Sequence, residues 1–242
     1  MISIFFTDSK DCDIICSNKL TGILQKYANI AYPDTNCLKF TMKTDSDRLL
    51  LPQKKNMIKP ITVYGNPVLR KECEYINNNY PNIREVIETM WQTLKHADGC
   101  GLAAPQINLP IKLFIVNSRD TYAYMSAKER EHLFSEEDCG IEETFINAEI
   151  IACSKEAWTT GEGCLSIPGL YEEVPRPWSV TIKYQDSEFK EQNRTYYGYT
   201  ARIIQHEFEH TQGKLYIDRL SPLRKQLIKN KLKRIIKESR KR

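Results

Sequence analysis

The chain has 242 residues, a net charge of +4 and 41% hydrophobic residues. That length supports one substantial domain with a real core and is marginal for two. No apolar run approaches the eighteen or so residues of a membrane span, and most of the positive charge gathers at the C-terminus, so the net value alone says little about partners.

Residues 1–57 contain six Asp and no Glu, and they lack sustained periodicity of either kind. The opening Ile2–Phe6 is too short for a signal-peptide core. This stretch reads as an extension, either a targeting leader or a segment without a part in the core. The eight cysteines form no regular framework, and a chain this long needs no stapling, so they read as thiols of a reducing compartment. Cys12 and Cys16 have no second ligand pair nearby and read as unrelated.

A folded domain is expected from Ile58 onward. Apolar residues at Ile83, Val86, Ile87, Met90, Trp91 and Leu94 predict a helix from an Asn82 cap to about Ala97, ended by Gly99. Residues 111–116 predict a buried strand and 145–151 another. The charged, unpatterned segment 118–143 between them reads as a surface loop. Residues 180–184 and 194–200 alternate like a hairpin. A helix is expected from Ile203 to about Gln212, closed by Gly213. A last helix has Ser221 as N-cap and Pro222 in its first turn, with Leu223, Leu227, Leu232 and Ile235 as its apolar residues. Strands and helices do not alternate as in parallel folds, so the class is α+β.

Two of the four histidines fall in His206-Glu207-Phe208-Glu209-His210. On a helix, residues four apart lie on one face, so both imidazoles can grip one metal ion while Glu207 reaches a water on it. A metal ion lowers the pKa of such a water from about 15.7 toward 7, and a carboxylate can then take the proton. Two imidazoles leave a catalytic ion short of a ligand, to come from Cys, Asp, Glu or the distant His96 and His132. Cys164 stands out, between glycines in Gly161-Glu162-Gly163-Cys164-Leu165-Ser166, although alone it would read as a buried thiol. A third segment, Gly99-Cys100-Gly101-Leu102-Ala103-Ala104-Pro105-Gln106, reads alone as a tight turn. It could also admit an extended substrate and offer the Gln106 amide.

Together the three segments resemble peptide deformylase, a family marked by Gly-x-Gly-x-Ala-Ala-x-Gln, Glu-Gly-Cys-x-Ser and His-Glu-x-x-His in that order. Residues 61–70 and 215–222 are similar to the family's start and end, and the resemblance covers about residues 58–236. It implies an α+β fold with mixed or antiparallel sheets around a central metal-binding helix, a C-terminal helix, and 58–242 as the catalytic domain. It implies hydrolytic removal of the formyl group from the N-terminal methionine of new polypeptides. Cys164, His206 and His210 would bind the metal, and Glu207 would be general base and then acid. Gln106 and the Leu165 N–H would hold the developing oxyanion. Gly101 would contact the substrate backbone, and Cys100, Leu165 and Ile203 would lie near the methionine pocket.

The ligand set accepts several metals. The resemblance implies Fe2+, with Zn2+, Co2+ or Ni2+ as substitutes. It also implies N-formylmethionyl nascent peptides as partners, with a transient ribosome contact through the basic C-terminal helix, no membrane and no direct DNA binding. The long N-terminal extension points to an organelle with bacterial-type translation, and the Lys-, Asn- and Ile-rich composition to a plastid or apicoplast before a mitochondrion. The family usually has Asp before the second His, where this chain has Glu209. On the resemblance alone, Glu209→Asp is expected to be tolerated. An ordinary zinc peptidase lacks the Glu-Gly-Cys segment. A non-catalytic ribosome- or nucleic-acid-binding protein would use the basic residues 224–242, which more often form a solvated helix face.

Overall fold

A computed structural model describes residues 58–136 and 138–240. The expectations for residues 1–57, including the leader and Cys12 and Cys16, lie outside the described residues.

The centre is a five-stranded antiparallel sheet. Its strands are β1 (Gly101–Ala103), β2 (Leu113–Asn117), β3 (Glu142–Cys153), β6 (Ser179–Gln185) and β7 (Glu191–Tyr197), in the order β1-β2-β3-β6-β7. Alternation along β2 divides the core between the two faces. Phe114 and Val116 join Val180, Ile182 and Tyr196 against Ala201, Ile203 and Ile204 of the helix Gly198–Thr211. Leu113 and Ile115 pack on Met90 and Leu94 of the helix Ile83–His96. We label these helices α4 and α1. A separate hairpin, β4 (Ala157–Cys164) and β5 (Ile167–Pro177), builds a third cluster with Leu215, Tyr216 and Leu220 and with the last helix α5 (Pro222–Ser239). The α+β class with a C-terminal helix therefore stands.

Several local expectations are corrected. Segment 118–143 is not a plain loop. It holds α2 (Ser118–Tyr124) and α3 (Ala127–Leu133). Asn117 caps α2 through Asp120 N–H at 3.1 Å, and Ser126 with Glu129 forms a capping box on α3. Helices of seven residues carry too little apolar periodicity to read, but their caps give them away. Helix α4 begins at Gly198, five residues earlier than expected, and takes residues 198–200 from the expected strand 194–200, which instead spans Glu191–Tyr197 as β7. The polar Thr200 of its first turn faces a neighbouring segment, where Ser118 and Thr200 share a hydrogen bond of 2.9 Å. The β4–β5 hairpin and β1 were not foreseen.

Helix α1 starts after Asn82, but that residue sits at φ 55° and its side chain makes no cap bond. Its end is a Schellman turn: Asp98 N–H donates to Lys95 O and Gly99 N–H to Leu94 O. The left-handed residue is Asp98 (φ 53°), not Gly99. Gly99 follows it closely packed, since a Cβ there would lie 2.9 Å from Leu94 Cδ1. On α5, Leu223 and Leu227 are 72% and 64% exposed. The face turned inward runs through Ile228, Leu232 and Ile235.

Gly198 generates a test. It has φ +52°, and a Cβ there would lie 2.3 Å from the Leu133 carbonyl oxygen at the end of α3. Gly198→Ala should cost about 2 kcal/mol or more, lowering Tm by several degrees in a thermal melt. An unchanged Tm would mean that α3 does not sit against α4 in this way.

Candidate metal centre

Helix α4 carries His206 and His210 one turn apart, with ring centroids 5.0 Å from each other. Cys164 comes from the end of β4, where Cys164 pairs with Ile167 and residues 165–166 form the turn into β5. One donor atom from each of Cys164, His206 and His210 lies within 4.8 Å of the other two, and Cys164 Sγ is 3.3 Å from His210 Nε2. Donors about 2.0–2.3 Å from a tetrahedral ion stand somewhat over 3 Å apart, so the residues fit a metal ion with modest adjustment. The three ligands expected from sequence are the three that the fold assembles.

Behind them lies a buried network of charge. His206 Nδ1 is 2.7 Å from Glu162 Oε1. Donation from Nδ1 would leave Nε2 to face the metal position. Glu162 also accepts from Arg176 Nε and Nη2 at 2.8 and 2.5 Å and from Arg202 Nη1 at 2.9 Å. Burial alone would raise the Glu162 carboxyl, but the bonds from Arg176 and His206 outweigh it and hold it far below the usual carboxylate range. Burial also dominates at His210, holding its imidazole well below the ordinary value, in the neutral form that binds metal.

Glu207 is treated differently. Among the described residues its Oε2 is buried with no hydrogen-bond partner, as is His210 Nδ1. Burial pushes the Glu207 carboxyl up to about 7. Gly101 lies directly against it: a Cβ at 101 would come within 2.6 Å of Glu207 Oε1. Gln106 is fixed by the Ala103 N–H, which donates to its Oε1 at 2.7 Å. Its amide Nε2 then points to Ser166 Oγ at 3.2 Å and toward Cys164 Sγ at 3.6 Å. The expected site residues Gly101, Gln106, Cys164, His206, Glu207 and His210 thus converge. Ile203 precedes Glu207 by one turn and shares an apolar cluster with the half-buried Cys100. The Leu165 side chain joins a different cluster, with Leu94 and Leu102.

Sequence reasoning gave no role to Glu162, Arg176 or Arg202. Glu162 stood in view, two residues from Cys164. Arg202 lies four before His206 on the same helix face, a charge on an otherwise buried stripe. Arg176 carried no signal. The Glu209 carboxylate touches neither histidine in the network, bonding instead to Arg176 at 3.1 Å and to Arg219 at 2.7 Å.

The sequence profile of the polypeptide deformylase family matches residues 58–226. A peptide deformylase of Flavobacterium psychrophilum is 44% identical over 180 residues, which are 74% of this chain and 91% of that protein. One of Christiangramia forsetii is 42% identical over 181 residues, 75% of this chain and 91% of that protein. Among solved structures, the peptide deformylase of Plasmodium falciparum superposes with a TM-score of 0.63 at 30% identity, covering 74% of this chain and 96% of that one. Peptide deformylase 1B of Arabidopsis thaliana, solved with an inhibitor, gives 0.64 at 30% identity, with 75% and 92% covered. The chain belongs to the peptide deformylase family, metal-dependent hydrolases that remove the formyl group from the N-terminal methionine of new polypeptides.

Proposed function

We propose that Cys164, His206 and His210 hold a divalent metal ion, that Glu207 carries the proton, and that Gln106 with the Leu165 N–H binds the developing oxyanion of the formyl group. The observation that carries this reading is the contrast between two buried carboxylates. Glu162 has every oxygen paired, whereas Glu207 keeps Oε2 free beside the ligand cluster. A divalent ion bound there would acidify water and polarise the formyl carbonyl. Glu207 Oε2 receives the proton of the attacking water, whose oxygen adds to the formyl carbon. The same carboxyl then gives the proton to the amine nitrogen as the C–N bond breaks, leaving formate and a free N-terminus. Gly101 keeps this carboxylate in place by lacking a side chain, and the Gln106 amide lies within 3.6 Å of Cys164 Sγ. Cys100, Leu165 and Ile203 supply apolar surface for the methionine side chain.

The proposed metal is Fe2+. One thiolate and two neutral imidazoles leave a divalent ion with a formal charge of +1, so turnover leans on Glu207 and on room for a fifth donor. Iron, cobalt and nickel accept that donor more readily than zinc. The proposed substrate is the formylmethionyl end of a nascent chain. Lys225, Lys229, Lys233 and Arg234 are exposed on α5 and would supply a transient ribosome contact. No described helix is long and apolar enough to cross a membrane. The 57 residues ahead of the matched segment support an organelle with bacterial-type translation as the place of action, and the Lys-, Asn- and Ile-rich composition favours a plastid over a mitochondrion.

Formate release from formyl-Met-Ala-Ser tests the activity. Glu207→Gln should keep the metal but lose at least about a hundredfold in kcat, and Gly101→Ala should lose turnover with metal content unchanged, because its Cβ displaces Glu207. A Glu207→Gln enzyme with more than a tenth of wild-type rate removes Glu207 as the base. Protein stripped of metal and reloaded without oxygen should run faster with iron, cobalt or nickel than with zinc. The iron form should fade in air as Fe(II) and the Cys164 sulfur oxidise. Equal zinc and iron rates would leave the ligands in place and refute the preference for iron.

A further inference from the structure

We propose that Arg219 is a positioning residue for His206, acting through a chain of buried ion pairs that this protein's Glu209 completes. The proposal rests on reading His206 as a metal ligand.

Arg219 lies in the 3-10 turn Tyr216–Arg219, away from the three motifs. Its Nε and Nη2 reach Glu209 Oε1 at 2.7 and 2.5 Å. The other oxygen, Glu209 Oε2, accepts from Arg176 Nη1 at 3.1 Å. Arg176, with no solvent exposure, turns its remaining fork onto Glu162, and Glu162 holds His206 Nδ1. Every step beyond Arg219 is at most 12% exposed at its side chain, so the chain is not a surface pair of negligible worth. Glu162 holds the Nε and Nη2 edge of the Arg176 guanidinium, and its remaining Nη1 edge is buried and needs an acceptor of its own. Glu209 provides that partner, and Arg219 keeps Glu209 turned inward.

The same turn braces His206 a second way. The Tyr216 ring lies nearly parallel to the imidazole, with centroids 6.0 Å apart, and its hydroxyl donates to Leu170 O at 2.9 Å. Arg70 anchors the turn from behind, donating to Asp218 at 2.5 and 3.2 Å. Both paths converge on one histidine and neither touches His210. The length of Glu209 matters here. With the Arg176 guanidinium held by Glu162, a carboxylate shorter by one bond, roughly 1.5 Å, draws back from either Arg176 or Arg219. On this reading Glu209→Asp is not tolerated, against the expectation drawn from the family's usual Asp.

The test uses the full chain stripped of metal and titrated with Co2+ against a chelator, with its visible spectrum and with kcat and KM for formyl-Met-Ala-Ser. Arg219→Ala should fold with a Tm within a few degrees of wild type. It should weaken Co2+ binding about tenfold, the lower end for partners behind a metal ligand. The Co2+ bands should shift, and kcat should fall about tenfold with KM within twofold. Arg219→Lys should recover most of the affinity, since a point charge can still hold Glu209. Glu209→Asp should match Arg219→Ala, and the double variant should be no worse than either, as members of one chain are not additive. A folded Arg219→Ala protein with wild-type Co2+ affinity and spectrum overturns the proposal. His206→Ala separates the two levels. If it loses Co2+ while Arg219→Ala does not, only the positioning role falls; if it binds Co2+ like wild type, the ligand reading falls and this proposal with it.

Discussion

Glu162 is 7% exposed, and its two oxygens take hydrogen bonds from His206, Arg176 and Arg202. A carboxylate so deep in protein needs cationic partners, and those partners, once buried, need anions of their own. Arg176 accordingly extends to Glu209, and Glu209 to Arg219 at the rim. The members come from separate elements: Glu162 from β4, Arg176 from β5, and Arg202, His206 and Glu209 from α4. Satisfying the charges therefore draws the hairpin onto the helix, which brings Cys164 to the two histidines. Breaking such a pair by deleting one partner typically costs about 3–5 kcal/mol, far above the 0–1 kcal/mol of an exposed pair.

The site then depends on an asymmetry between neighbouring carboxylates. The environment of Glu162 stabilises its anion so fully that it has no use for a proton. Glu207 is buried with an oxygen left over, so its neutral form is within reach near neutral pH. One scaffold thereby sets a permanent anion against His206 and, nearby, a carboxylate whose proton is exchangeable near neutral pH. Gly101 is part of the same design, because the backbone of β1 runs so close to Glu207 that no side chain fits between them.

The rest of the fold supplies rigid backing. Helix α4 packs on one face of the sheet and α1 on the other, so the helix that carries His206 and His210 is held along its length by Phe114, Val180 and Ile182. Helices α2 and α3 close over its first turn, where Leu133 O meets the bare Cα of Gly198 and Phe134 tilts against Tyr199. At its other end Gly213, at φ +68°, turns the chain toward Tyr216 and the last helix.

The sequence by itself picked out the residues that the fold brings together, because His206, Glu207 and His210 lie within one helical turn and Cys164 and Gln106 stand in short segments where spacing and residue type survive without coordinates. It also determined α1, β2, β3, the β6–β7 pair and the Ser221 cap of α5, whose apolar periods or end signals are local. It misjudged where α4 begins and which α5 residues face inward, since the helix's rotation is chosen by Ile228 and Ile235 packing on Leu215 and Tyr216 rather than by its own spacing. It was silent on the β4–β5 hairpin, whose strands mix charged, glycine and proline residues because Glu162, Glu172 and Arg176 are buried alongside Ile167, Leu170 and Val174. Only the tertiary structure decided what stands behind the ligands. Arg176 and Arg219 look like any surface arginine in one dimension; folding strips the water from Arg176 alone and leaves Glu162 and Glu209 as its partners, while Arg219 meets Glu209 at the rim.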